Sequence, residues 1–256
     1  MKILINYFSG TGNTKFVADK FAEAFLTEEY SVELFSMEDR DLSNADCDLL
    51  VLGFPKFYGY VPLFYLDYVK ETLNQSKDTK KVIMFCTESG GTLTSFTEFI
   101  EILNDKNYET VWATSIIMPN NYLIKSNYEP TPVLVTEDRI NKIFSTVKYI
   151  VDNVIGNNTH IETADEEKAS RARAMAYGLK EKAGMIAAGY SVDSSCDFCD
   201  DCVRVCPTSA ILKVEGKYVF TESCINCVRC VNICPSNSIT YNGYKPPQYN
   251  RLMIKG

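Results

Sequence analysis

One histidine, His160, and one tryptophan occur among 256 residues. With a single imidazole, no Ser–His–Asp or Cys–His catalytic set can be assembled, and His160 falls in a segment read as a solvated linker. No apolar run approaches the roughly 20 residues of a membrane span. The apolar start, Met1–Phe8, is not followed by the small-residue cleavage site of a secretion signal, so none is expected. Positive charge is also short: 26 Lys+Arg stand against 33 Asp+Glu, a formal net charge of −7. That balance argues against nucleic-acid binding as the main task. The pattern GxxxxGK[ST] is absent, and GxGxxG would need glycine where Lys15 stands. What remains is an ordinary globular composition, 46% hydrophobic and 23% charged, which excludes wholesale disorder.

From residue 1 to about 155, strand-like runs alternate with helix-like ones. Lys2–Phe8, Ser31–Phe35, Asp48–Phe54, Lys81–Thr87 and Thr110–Met118 read as strands; Thr14–Leu26, Pro62–Leu73, Leu93–Leu103 and Glu137–Ile155 read as helices. The strands are mostly continuous apolar runs, as expected when helices cover both faces. The alternation predicts an α/β domain, residues 1–155, built on a doubly wound parallel sheet. The composition changes at about residue 156. Thr163-x-x-Glu166 reads as a capping box. Ala169, Ala172, Ala176, Leu179, Ala183 and Ile186 line one face of a helix that Gly189 can end. Residues 156–189 are therefore read as a linker helix whose small-residue seam packs closely on a neighbour. Residues 190–256 contain an internal repeat and are expected to form a small α+β domain.

The repeat is carried by cysteine. Of ten cysteines, Cys47 and Cys86 stand alone at strands and read as small core residues. The other eight spell Cys-x2-Cys-x2-Cys-x3-Cys-Pro twice, at Cys196–Pro207 and Cys224–Pro235. Dense cysteines without a secretion signal read as metal ligands in a compartment that keeps thiols reduced. Structural zinc prefers paired CxxC ligands with a longer spacer. Triplets at i, i+3 and i+6 followed by Cys-Pro instead suit a cubane cluster, one thiolate per iron, and at this spacing the fourth cysteine ligates the other cluster. The expected sets are Cys196, Cys199, Cys202 and Cys234 for one [4Fe–4S] cluster, and Cys224, Cys227, Cys230 and Cys206 for the second. The segment resembles the bacterial two-cluster ferredoxins. Each copy leads to a hairpin signal, Glu215-Gly216 and Asn242-Gly243. Acids crowd the first copy, whereas none follows Glu222 and Arg229, Lys245, Arg251 and Lys255 do. Nearby cations favour a reduced cluster, so the cluster on Cys224, Cys227 and Cys230 is expected to have the higher potential.

Ser9-Gly10-Thr11-Gly12-Asn13-Thr14 follows the first strand and opens the first helix. Ser9, Thr11 and Thr14 offer hydroxyls, and Gly10 and Gly12 let backbone N–H groups curl round an anion. The helix N-terminus adds positive potential. This is a phosphate site of neutral donors. Two more loops, Phe54-Pro55-Lys56-Phe57-Tyr58-Gly59-Tyr60 and Thr87-Glu88-Ser89-Gly90-Gly91, fall where later strands end, and Met118–Tyr122 is a further candidate. In doubly wound sheets of flavodoxin order, FMN lies at the switch point between the first and third strands. With these loops in this order, the first 155 residues resemble a flavodoxin. The resemblance implies FMN, with Phe57 and Tyr58 flanking the ring and Glu88–Gly91 at its edge. It also puts Gly59 near N5, where a backbone flip steadies the one-electron-reduced flavin. Tyr65 and Tyr68, in the next helix, read as core.

The two parts together resemble the flavodoxin–ferredoxin fusion proteins of anaerobes. That resemblance implies a cytoplasmic, low-potential electron carrier. It would pass electrons between two [4Fe–4S] clusters and FMN, converting one-electron to two-electron transfer for redox protein partners. The alternative is a flavin-dependent reductase of a small acceptor, fed by its own clusters. No nicotinamide-dinucleotide site and no acid–base pair near the predicted ring are visible, which favours the carrier. Each cluster with four thiolates is net −2, so the loaded protein is more acidic than −7. Basic partner surfaces and salt-dependent rates are expected.

Overall fold

Successive side chains of a strand point to opposite faces, and this alternation builds the larger part of the molecule. The structure is a computed structural model that describes residues 1–90 and 95–249. The chain runs β1 (Lys2–Tyr7), α1 (Asn13–Thr27), β2 (Ser31–Ser36), β3 (Leu49–Pro55), α2 (Leu63–Thr72), β4 (Lys80–Glu88), α3 (Thr97–Asp105), β5 (Tyr108–Ile117), α4 (Val133–Ile155) and β6 (His160–Ile161). Ile3 and Ile5 of β1 pack with Val17 and Phe21 of α1 and Val147 and Ile150 of α4. Leu4, on the other face, packs with Leu66 of α2 and Phe99 of α3. The sheet order is β2-β1-β3-β4-β5-β6, parallel throughout. It is the doubly wound, flavodoxin-like order with one further edge strand, and its switch point lies between β1 and β3.

His160, read as a solvated linker residue, is indeed exposed, but it lies in an unexpected strand, β6, which pairs with Trp112 and Ala113 of β5, its ring 5.0 Å from that of Trp112. Both residues of β6 are exposed, so no apolar periodicity could announce it. The helix that follows is capped by Asp165, whose side chain accepts from the Lys168 N–H at 3.0 Å; Thr163 is not the cap. It is also broken at Lys182 into α5 (Glu166–Glu181) and α6 (Ala183–Ala187). Its small-residue face does pack: Ala172 and Ala176 join the core on the α2–α3 side. Of the expected helix Leu93–Leu103, residues 93 and 94 lie outside the described residues, as does Gly91. Among the described residues no helix is long and apolar enough to cross a membrane.

The remainder comprises β7 (Tyr190–Val192), α7 (Asp201–Arg204), β8 (Ile211–Val214), β9 (Lys217–Phe220), α8 (Arg229–Ile233) and β10 (Ile239–Tyr241). The repeat is written in its backbone. Phe198, Asp200 and Ser209 take left-handed φ values of 58°, 60° and 52°, and Asn226, Val228 and Asn237, 28 residues later, take 57°, 53° and 48°. The hairpin β8–β9 turns at Glu215-Gly216 as expected. Asn242-Gly243 makes a similar tight turn but closes only the bridge Tyr241–Tyr244; β10 pairs instead with β7. Its partner therefore comes from the start of the small domain, where local turn chemistry has no influence.

Helix α5 is fastened by Glu98 of α3. The carboxylate accepts from Arg173 Nε at 2.9 Å, Tyr177 Oη at 2.7 Å and Tyr60 Oη at 2.5 Å. Burial alone would raise its pKa, but these hydrogen bonds outweigh that and hold it at about 2. A depressed carboxylate contributes stability that is complete above its ordinary value of 4.5 and is lost as pH falls toward 2. Glu98→Ala is therefore expected to loosen α5 by about 1–3 kcal/mol, read as faster amide exchange along α5. The acid-induced loosening of wild type should be absent from that variant.

Candidate functional site

Loops at the carboxyl ends of parallel strands gather at the switch point, and here they enclose a cavity of about 650 Å³. Gly10 and Asn13 line it, as do Pro55–Gly59, Thr87–Gly90 and Pro119–Tyr122. The three expected loops thus meet, and the Met118–Tyr122 candidate joins them. The Tyr58-Gly59 turn is tight: both residues are left-handed, at φ 53° and 83°, and Phe57 and Tyr60 exchange backbone hydrogen bonds of 3.0 and 2.9 Å. Tyr65 is fully buried and bonds Asn6.

The side chains of the Ser9–Thr14 loop do not all face the cavity. Ser9 Oγ accepts from the Gly12 N–H at 3.1 Å, Thr11 Oγ1 accepts from Asn121, and the Thr14 and Thr87 hydroxyls meet at 2.8 Å. A hydroxyl that accepts still has its own proton to donate. Asn13 is a brace: it donates to the Pro119 carbonyl at 2.9 Å and accepts from Tyr249 Oη at 2.9 Å. Gly12 needs its left-handed φ of 107°, whereas Gly10 is required for space, since a Cβ there would stand 2.7 Å from the Cys227 carbonyl. Among the described residues nothing accepts from the N–H groups of Asn13, Thr14 and Lys15. Buried hydroxyls with protons to spare, beside the open N-terminus of α1, are the donor set a phosphate requires.

Lys56 and Glu88 form an ion pair in the cavity wall, 10% and 2% exposed. Burial pushes the Lys56 ammonium down. The sequence reading found no acid–base pair at this place; each residue is visible there, but their meeting across two loops is not.

The eight clustered cysteines line two smaller cavities. Cys196, Cys199, Cys202 and Cys234 line one; Cys206, Cys224, Cys227 and Cys230 line the other. Sulfurs in both receive backbone N–H groups in the same pattern: Phe198 to Cys196 and Asn226 to Cys224 at 3.4 Å, and Ala210 to Cys206 and Ser238 to Cys234 at 3.2 and 3.3 Å. Among the described residues no three His, Cys, Asp or Glu side chains are grouped to hold a single metal ion. Four cysteine sulfurs line each space, the donor set that an iron–sulfur cluster takes. Burial pushes the Cys202 thiol up to about 11 and that of Cys227 to about 12. Cys234 goes the other way: burial would raise it, but hydrogen bonds from Ser238 and Ser236 bring it down.

The two copies of the repeat occupy different surroundings. Phe198 is 56% exposed, and its counterpart Asn226 only 6%. Asp201 corresponds to Arg229. The Arg229 guanidinium donates to the carbonyls of Ser9 at 2.8 Å, Gly10 at 3.1 Å and Val205 at 3.0 Å, and to both Glu38 oxygens at 2.6 Å. Asn226, Cys227 and Val228, with Met175 and Leu179 of α5, complete the large cavity. Sequence reasoning missed these lining residues. A position-by-position comparison of the repeat carries the signal: Phe198, Asp200 and Asp201 become Asn226, Val228 and Arg229 in the copy that docks. Of the cations expected to favour the second cluster, Lys245 pairs with Asp193 at 2.9 Å and Arg229 with Glu38, whereas Arg251 and Lys255 lie outside the described residues.

Residues 194–245 match the family described as the LdpA Fe-S cluster-binding domain. No curated protein matches the chain. Similar solved structures include a flavodoxin from the domain Archaea, 18% identical with a TM-score of 0.42, covering 60% of this chain and 99% of that one. Oxidised Flavodoxin 2 from Bacillus cereus is 22% identical with the same coverage and TM-score. Rubredoxin oxygen:oxidoreductase from Desulfovibrio gigas is 18% identical, with a TM-score of 0.39, over 59% of this chain and 36% of that one. The fold assignment rests on the strand order itself.

Replacing Arg229 by Met strands the part-buried Ser9, Gly10 and Val205 carbonyls and is expected to cost about 1–3 kcal/mol, measured by denaturant unfolding. Arg229→Lys restores the charge but not the fork, so an intermediate loss is expected.

Proposed function

We propose that this chain, which joins a flavodoxin-like sheet to an iron–sulfur-binding segment, is an electron-transfer protein for redox protein partners in the cytoplasm. In this reading the large cavity holds FMN, and each cysteine set holds a [4Fe–4S] cluster. Bound there, the clusters would move single electrons and the flavin one or two, which converts between the two regimes. The domain division is 1–155 and 190–256, with 156–189 between them. The observation that carries the reading is Cys227, which lines both the inner cysteine cavity and the large one. Electron transfer would run between the set containing exposed Phe198, outermost, the inner set, and the flavin cavity.

The chain's residues supply the rest. The Asn13–Lys15 N–H groups and the free hydroxyl protons would hold the phosphate. The absence of a Cβ at Gly10 lets the phosphate loop and the inner cysteine loop approach closely. A second reading, a reductase of a small acceptor, is favoured by the Lys56–Glu88 pair, a buried proton-carrying group in the flavin cavity wall.

Anaerobic reconstitution tests the assignment. One FMN and about eight irons per chain are expected, the content of two [4Fe–4S] clusters; a protein that retains neither group overturns it. Cys199→Ser should disable the outer set alone and stop flavin reduction by a protein donor, while dithionite still bleaches the flavin band. Unimpaired reduction by the protein donor would break the proposed order.

We also propose the opposite ranking of potentials to the one expected from charge along the chain. Hydrogen bonds to sulfur and solvent exposure favour the reduced state. Cys234 accepts from the Ser238 and Ser236 hydroxyls at 3.2 and 3.6 Å, and its set lies at the exposed copy. The cluster on Cys196, Cys199, Cys202 and Cys234 should titrate at the higher potential. Ser238→Ala should lower that potential and leave the other in place, as followed by EPR during a redox titration.

A further inference from the structure

Asn226 stands between two cysteines of the inner set, and its side chain is bonded by three tyrosines. Its Nδ2 donates to Tyr58 Oη at 2.5 Å and to Tyr122 Oη at 2.7 Å, and its Oδ1 accepts from Tyr190 Oη. Its own N–H donates to Cys224 Sγ at 3.4 Å. Both amide hydrogens and the amide oxygen are therefore engaged. Tyr58 and Tyr122 come from different loops of the sheet domain, and both line the large cavity. Tyr58 is in the left-handed turn with Gly59, a conformation that a residue with a Cβ adopts only when its surroundings hold it.

Tyr58 is also a wall between two spaces. Behind it lies a second cavity of about 350 Å³, lined by Phe64, Ile186 and Ile225 among others, which Tyr58 and Asn226 border as well. Tyr58 thus borders both spaces, and the Asn226 amide holds its hydroxyl at 2.5 Å.

We infer that Asn226 is a positioning residue for electron transfer: it latches Tyr58 and Tyr122 to the inner cysteine loop and so fixes the turn that meets the flavin. The inference rests on the reading that FMN occupies the large cavity. An amide in the iron–sulfur segment then sets the surroundings of a ring held by the sheet domain. By linkage, the occupancy of one site is felt at the other.

The test uses the reconstituted full chain carrying both kinds of group, and compares wild type with Asn226→Leu, which preserves volume and removes both donors. Iron and FMN content should be unchanged. The flavin absorption envelope and flavin potential should shift, and the potential of the cluster on Cys196, Cys199, Cys202 and Cys234 should not. The rate at which an electron placed on the clusters reaches the flavin after a laser flash should fall about tenfold, the population change when roughly one net hydrogen bond is lost from the latch. An unchanged flavin spectrum, potential and rate would overturn the inference. Asn226 adjoins cluster ligands, so Tyr58→Phe breaks the same bond from the flavin side. If Asn226→Leu loses iron, that variant decides: a shifted flavin and slower transfer support the latch, and wild-type behaviour overturns it. Absence of FMN from reconstituted wild type would overturn the functional reading and this inference with it. A flavin that binds but ignores both substitutions overturns the inference alone.

Discussion

Five N–H donors leave the Arg229 guanidinium, and the oxygens that receive them belong to four residues in three segments: Ser9 and Gly10 of the phosphate-type loop, Val205 beside Cys206, and the carboxylate of Glu38. A planar fork with fixed donor directions can satisfy such a set only in one arrangement. Because Arg229 lies between Cys227 and Cys230, that arrangement fixes the inner cysteine loop against the first loop of the sheet. The close approach of Gly10 to Cys227, the Asn226 bonds to Tyr58 and Tyr122, and the Tyr249 bond to Asn13 all depend on that docking.

Docking makes one cavity out of two domains. The sheet contributes the loops that its strand order brings together, the second cysteine copy closes one side, and α5 closes another through Met175 and Leu179. Glu98 and the Lys180–Asp67 pair at 2.6 Å hold α5 in place. What reads along the chain as a connection is therefore a wall. In the proposed function, short distance between redox groups follows from this packing, because the Cys227 loop lines both the inner cysteine cavity and the large one.

The cysteine repeat shows how one backbone serves two surroundings. Equivalent residues take the same left-handed conformations and turn the same N–H groups toward sulfur, which the geometry of the loop demands of both copies. The residues between the cysteines are free of that demand, and they differ. The first copy leaves Phe198 exposed and pairs Asp200 with Lys213 and Asp201 with Arg204, and the second buries Asn226 and Val228 and turns Arg229 into the clamp.

Much of this was legible in the sequence because it is local. Apolar runs and helical periodicity marked the sheet and its helices to within a few residues, glycines and hydroxyls marked the first loop, and cysteine spacing sorted the eight thiols into the sets that line two cavities. Strand β6, two exposed residues held by pairing with β5, left no such mark. The Asp165 cap and the pairing of β10 with β7 were likewise misread, since each depends on a competing partner that local pattern does not reveal. The ranking of the two cluster potentials was reasoned from counts of charge along the chain, and ion pairs across space, Arg229 with Glu38 and Lys245 with Asp193, altered its basis. The sequence by itself determined the elements, the ligand types and the chemistry they are suited to, because those follow from residue type and spacing. The tertiary structure alone decided which cysteine copy faces the large cavity, which hydroxyls have protons to give, and that Lys56 meets Glu88, because each is a contact between segments whose separation along the chain carries no information about their separation in space.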